Sequence, residues 1–115
     1  MSTSAYAVAY LRDVDFGEAI IDYLSAIDTT LAPFGGRFLV HGGEIDGIEG
    51  EWDGSVVVIE FPDHESARGW YESPDYQAIL PLRTSHSNGV AAIVDGVPPG
   101  YRATDGLALL LAATT

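Results

Sequence analysis

The sequence predicts an α+β fold, an antiparallel four-stranded sheet built in the order β-α-β-β-α-β. Three observations carry this expectation. Four short apolar runs rich in Val, Ile and Tyr are spread along the chain. Between the first and second, and between the third and fourth, apolar residues recur at spacings of three and four. Gly and Pro punctuate the breaks. A length of 115 residues suits one domain with one core.

The first strand is Ala5–Leu11, a continuous apolar run that reads as buried on both faces. Asp15 offers an N-cap, with Glu18 three residues on in a capping-box position. Phe16, Ala19, Ile20, Tyr23, Leu24, Ile27 and Leu31 then form one helical stripe, stopped by Pro33 and Gly35-Gly36. Arg37–His41 is a short second strand closed by Gly42-Gly43. Residues 44–54 are acidic and Gly-rich, a loop or hairpin extension. Ser55–Phe61 is the third strand. Asp63 caps a helix carrying Ala67, Trp70 and Tyr71; Ser73-Pro74 restarts it, and Pro81 bends or ends it. Gly89–Val94 is the fourth strand. This order is the ferredoxin-like, split βαβ arrangement over residues 1–97, with a C-terminal extension over 98–115. The extension ends in seven apolar residues, Leu107 to Ala113, expected to dock as a short helix or an added edge strand.

Helices on one side cover only one sheet face, yet the strands are apolar on both. In the third strand Val57, Ile59 and Phe61 point one way and Val56 and Val58 the other. An apolar sheet face is rarely left in water, so a homodimer with sheets packed face to face is expected.

Composition narrows the function classes. Seventeen acids against five arginines and no lysine give a net charge of −12, a field that repels nucleic acid and anionic membrane surfaces. Without lysine there is no side-chain Schiff base; without cysteine there is no thiolate nucleophile, thiolate metal site or disulfide. Met1-Ser2-Thr3-Ser4 shows no basic leader and no apolar run reaches membrane-spanning length, so a soluble cytoplasmic protein is expected. Glu44, Asp46, Glu49, Glu51 and Asp53 miss the spacing of a calcium loop and read as a solvated acidic segment. The three histidines lack metal-ligand spacing. No metal and no cofactor are called for.

The remaining candidates are few. Strict alternation would put Arg37, Leu39 and His41 on one face of the second strand and Phe38 and Val40 on the other. His41, beside an internal cavity, is a candidate general base, because an imidazole titrates near neutrality; its other reading is a hairpin histidine bonded to solvent or backbone. Arg83 is a candidate for holding an oxyanion, or else an ion-pair partner of Glu60 or Glu72. Tyr71 can orient a substrate oxygen. Arg37, Trp70, Tyr76 and His86 are substrate-binding candidates, with core packing the plainer reading for Trp70 and an exposed loop for His86. If Tyr23, Trp70 and Phe61 fill the space between helices and sheet, no pocket remains.

Several ordered blocks together resemble the DUF1330 family of the dimeric α+β barrel superfamily. They are Gly35-Gly36-Arg37-Phe38-Leu39-Val40-His41-Gly42-Gly43, Glu49-Gly50-Glu51-Trp52, Val58-Ile59-Glu60-Phe61-Pro62, the run from Ala67 to Gln77, and Leu80-Pro81-Leu82-Arg83. The resemblance spans about residues 5–97 and implies a face-to-face homodimer. The superfamily includes cofactor-free quinol monooxygenases, muconolactone isomerase, dye peroxidases and aldoxime dehydratases. His41 stands where such proteins commonly carry Arg, and the segment from Pro98 onward is additional. A small dimeric barrel with an apolar cavity is expected. It would act without a cofactor on a small aromatic or polyketide-like molecule, by oxygenation, isomerisation or cyclisation. The alternative is a non-catalytic dimer that binds a small ligand.

Overall fold

The computed structural model describes residues 3–113; Met1 and Ser2 of the N-terminal stretch and Thr114 and Thr115 of the extension lie outside the described residues. Strands β1 (Ala5–Arg12), β2 (Arg37–His41), β3 (Ser55–Phe61) and β4 (Asn88–Asp95) form one antiparallel sheet in the order β2-β3-β1-β4. Helices α1 (Glu18–Leu31), α2 (His64–Glu72) and α3 (Pro74–Thr84) cover one face. This is the ferredoxin-like arrangement that the sequence predicts.

The core sits between helices and sheet. Ala5, Ile59 and Phe61 from the strands meet Tyr23, Ile27, Leu31, Ala67, Trp70 and Tyr76 from the helices. Leu31 passes into a single 3-10 turn at Ala32–Phe34, closed by Gly35 in the left-handed conformation at φ 70°. At Gly36 a Cβ would stand 2.7 Å from the Phe61 ring and 2.8 Å from Leu31, so the missing side chain lets the chain cross the core edge.

Three details differ from the sequence reading. Helix α1 begins at Glu18 with Gly17 as N-cap, while the Asp15 amide donates to the His86 carbonyl at 2.8 Å, and Phe16 is exposed. The approach to the helix is thus held by a tertiary bond rather than a capping box. Asp63 caps α2 as expected, accepting from the Ser66 amide at 2.7 Å. Pro81 lies inside α3, which continues to Thr84. Third, β2 carries a register shift between Phe38 and Val40. Phe38 pairs with Ile59 and His41 with Val57, so both face the helices, whereas Arg37 pairs with Glu60 on the open face. The bulge replaces strict alternation and separates Arg37 from His41.

The extension is a helix, α4 (Ala103–Ala113), the first of the two forms that the sequence allows for it. Leu107, Leu110 and Leu111 are exposed on it. The radius of gyration is 16.1 Å, against roughly 13 Å for a compact chain of this length, as expected when an extension leaves the body. No helix among the described residues is long and apolar enough to cross a membrane.

Candidate functional site

Strand β1 reads Ala-Tyr-Ala-Val-Ala-Tyr, and its pleat sorts these residues by size. Ala5, Ala7 and Ala9 turn toward the helices; Tyr6, Val8 and Tyr10 turn to the open face. Ala9 stands between Val57 of β3 and Ala91 of β4. Small side chains on this floor leave a hollow of about 510 Å³ beneath the helices. The volume suits a small ligand, and most of its wall is apolar.

Five of the seven sequence candidates line this hollow: His41, Trp70, Tyr71, Tyr76 and Arg83. Tyr23, Trp70 and Phe61 do not fill it. Trp70 is buried and donates through Nε1 to Thr30 Oγ1 at 3.0 Å; Thr30 in turn donates to the Ile27 carbonyl at 2.6 Å. That chain fixes the indole, and Tyr76 stacks on it with centroids 4.0 Å apart. Trp70 is therefore a core residue that positions the tyrosine beside it. Tyr71, half-buried, lies with its ring 5.7 Å from that of Tyr76.

The polar end of the hollow is made by α1 and α3. Tyr23 and Tyr76 share a hydrogen bond between their hydroxyls at 2.8 Å. The Arg83 guanidinium carbon is 6.0 Å from the Tyr23 ring centroid, near the outer limit of a cation–π contact. Burial pushes the Tyr23 phenol well above its ordinary pKa; the neighbouring Tyr76 adds to this, and Arg83 only partly opposes it. Burial works against the charge on Arg83, but Tyr76 and Tyr23 outweigh that cost and raise its pKa. Tyr23 thus stays a neutral donor and Arg83 stays cationic. The carboxylates considered for Arg83 are taken elsewhere: Glu60 pairs with Arg37 at 2.6 Å and Glu72 with Arg68 at 2.6 Å.

Two candidates are not brought to the hollow. Arg37 is on the open face with Glu60, to which Tyr6 also donates at 3.3 Å. His86 sits past α3 with Nδ1 3.0 Å from the Leu82 carbonyl, and lines a shallow acidic depression with Asp15, Glu18 and Asp22. His41 lies at the hollow's β2 side, exposed, with its ring stacked on Phe38 at 4.5 Å and 19°. Tyr23 is the residue that sequence reasoning missed as a site group. Its signal was a hydroxyl inside an otherwise hydrocarbon stripe, where a buried phenol needs a partner. Among the described residues no group of three His, Asp or Glu side chains is arranged to hold a metal ion.

Residues 4–97 match a domain of unknown function, DUF1330. The chain belongs to the DUF1330 family. No curated protein matches it. Among solved structures, this DUF1330 chain is similar to the RPA0582 protein of Rhodopseudomonas palustris, with 16% identity, coverage of 86% of each chain and a TM-score of 0.60. It is similar to a dimeric ferredoxin-like protein of Thermobifida fusca YX, with 17% identity, coverage of 84% of this chain and 93% of the other, and a TM-score of 0.57. It is also similar to SnoaB, a cofactor-independent oxygenase of Streptomyces nogalater, with 13% identity, coverage of 88% and 100%, and a TM-score of 0.57. At these identities the likeness carries the fold alone.

Proposed function

We propose that this DUF1330 protein is a homodimer whose helix-side hollow takes a small aromatic or polyketide-like molecule and acts on it without a cofactor, by oxygenation, isomerisation or cyclisation. The observation that carries this reading is the convergence of His41, Tyr71, Tyr76 and Arg83 on one apolar hollow. His41 takes a proton from an acidified C–H or O–H of the substrate. The charge left behind moves to an oxygen held by Arg83 and Tyr71. An oxygenation would use dioxygen as co-substrate. The likeness to SnoaB, a cofactor-independent oxygenase, and to a dimeric ferredoxin-like protein supports both halves of the proposal.

The test is oxygen uptake and product formation with a panel of quinols and hydroxylated aromatic ketones. The intact protein turns over at least one of them, and His41→Ala slows that turnover by about a hundredfold or more. Equal rates in parent and variant remove His41 from the mechanism.

One observation favours the second reading, a ligand-binding dimer without catalysis. Among the described residues no carboxylate or carbonyl is hydrogen-bonded to the His41 ring, which stacks on Phe38. A catalytic base is ordinarily held by a third group. The second reading predicts binding without turnover, with the same affinity in His41→Ala.

In the dimer we further place α4 on its own subunit or the partner, because Leu107, Leu110 and Leu111 are exposed on a lone chain. Removing residues 99–115 then lowers the melting temperature or changes the elution volume; no change in either contradicts the docking.

A further inference from the structure

Arginines in this chain are scarce and mostly spoken for. Arg12 meets Asp53 at 3.1 Å, Arg37 meets Glu60 at 2.6 Å and Arg68 meets Glu72 at 2.6 Å, all near the surface. Arg102 is exposed, just before α4. Arg83 is half-buried, and no carboxylate among the described residues lies within 4.0 Å of it. In a chain with 17 acidic residues, the guanidinium set into an apolar hollow has no counter-charge within 4.0 Å among the described residues, and unlike Arg102 it lies half-buried rather than in water.

Its neighbours are neutral. The Tyr23 ring lies 6.0 Å from the guanidinium carbon, and Tyr76 and Tyr23 favour its charge, but a phenol does not cancel a cation. The two hydroxyls carry two protons, and their mutual hydrogen bond at 2.8 Å uses one. The other remains to be donated. The hollow therefore offers a planar cation and a phenol proton at one end, against apolar walls elsewhere. A charge in such surroundings acts over a lower dielectric than one in water. The group that satisfies this arrangement is a carboxylate, whose two oxygens match the guanidinium fork.

We propose that Arg83, with the hydroxyls of Tyr23 and Tyr76, is a carboxylate receptor, so that the hollow selects ring-bearing monoanionic acids over their neutral counterparts. This rests on the reading that the hollow takes a small apolar molecule and names the chemical class of that molecule. It also gives Tyr23 a specificity-determining role. The net charge of −12 sharpens the selection. The protein's own field opposes anions in proportion to their charge, so a dianion pays twice for the same single receptor.

The experiment is a calorimetric titration of the full chain with three probes of one shape: 1-naphthoate, neutral 1-naphthamide and dianionic 1-naphthyl phosphate. Naphthoate is expected to bind about tenfold or more tighter than naphthamide, the gain typical of hydrogen bonds to a charged group, and tighter than the phosphate. Arg83→Gln is expected to bring naphthoate down to the naphthamide level. Tyr23→Phe is expected to narrow the gap by a smaller factor. That variant keeps the ring in place and serves if Arg83→Gln fails to fold, as judged by circular dichroism. Equal binding of naphthoate and naphthamide overturns the receptor and leaves the apolar hollow standing. Phosphate binding tighter than naphthoate overturns the monoanion selectivity. Binding of none of the three overturns the receptor together with the ligand-binding reading beneath it.

Discussion

The two faces of the sheet are built from the same strands and end in opposite conditions. Toward the helices, β1 presents Ala5, packed in the core, and Ala7 and Ala9, which line the hollow. Away from the helices it presents Tyr6, Val8 and Tyr10, flanked by Glu60, Val58 and Val56 of β3 and by Val94, Ala92 and Val90 of β4. The bulk that would ordinarily fill a core is thus spent on the uncovered side, where Val90 is 72% and Val94 51% exposed. A chain gains nothing in isolation from placing its large apolar side chains in water and its small ones under helices. The arrangement makes sense when the bare face meets another surface and the hollow meets a ligand.

The most disruptive way to break this comparison is to put a charge on the bare face. Val58→Asp places a carboxylate between Val8 and Val40. In a face-to-face dimer it is desolvated without a partner, and the dissociation constant should rise about a hundredfold or more, while the single chain keeps its fold. Sedimentation across a concentration series checks both statements. A variant that stays dimeric would show that this face is not the interface.

Filling the other face should do the reverse. Ala9→Leu adds three carbons to the floor of the hollow. Melting temperature is expected to hold or rise, by the equivalent of up to about 1 kcal/mol, because the added volume meets space rather than packed atoms. Binding of small apolar probes is expected to disappear. A loss of stability with binding intact would mean that the floor is already filled.

The smallest effect concerns Tyr23. Its phenol pKa is raised in the folded chain, so its contribution to stability is complete below the unfolded value of about 10 and is lost as pH climbs above it. Urea unfolding measured from pH 8 to 11 should show a decline above pH 10 that Tyr23→Phe makes shallower. At neutral pH the same substitution removes the bond to Tyr76 and costs about 1 kcal/mol. An unchanged alkaline slope would place the Tyr23 hydroxyl in contact with water.

Much of this was legible without coordinates. Valine and isoleucine runs marked the strands, Asp63 and Ser73 marked two helix starts, and Val56 and Val58 opposite Val57 and Ile59 marked an apolar sheet on both sides. The resemblance to DUF1330 pointed to the same arrangement, and the family match over residues 4–97 agrees with it. What escaped depended on contacts between distant segments. The bulge near Leu39, which turns His41 inward and leaves Arg37 outside, is fixed by pairing with β3 and not by anything within Arg37–His41. The Tyr23–Tyr76 bond joins residues 53 positions apart and exists because α1 packs on α3. Asp15 looked like a cap because its local spacing fits one, but the His86 carbonyl claims its amide. The size sorting along Ala5–Tyr10 was visible as an alternation, yet a run that is apolar throughout hides which half faces the helices.

The measurement that most directly tests the division of labour between the two faces is the mass of the intact chain in solution, by sedimentation velocity from nanomolar to high micromolar concentration. The account predicts a particle of twice the 12.2 kDa chain mass over most of that range, dissociating only at the dilute end. A single 12.2 kDa species throughout would contradict it, for Val40, Val90 and Val94 of the open face would then stay exposed to water.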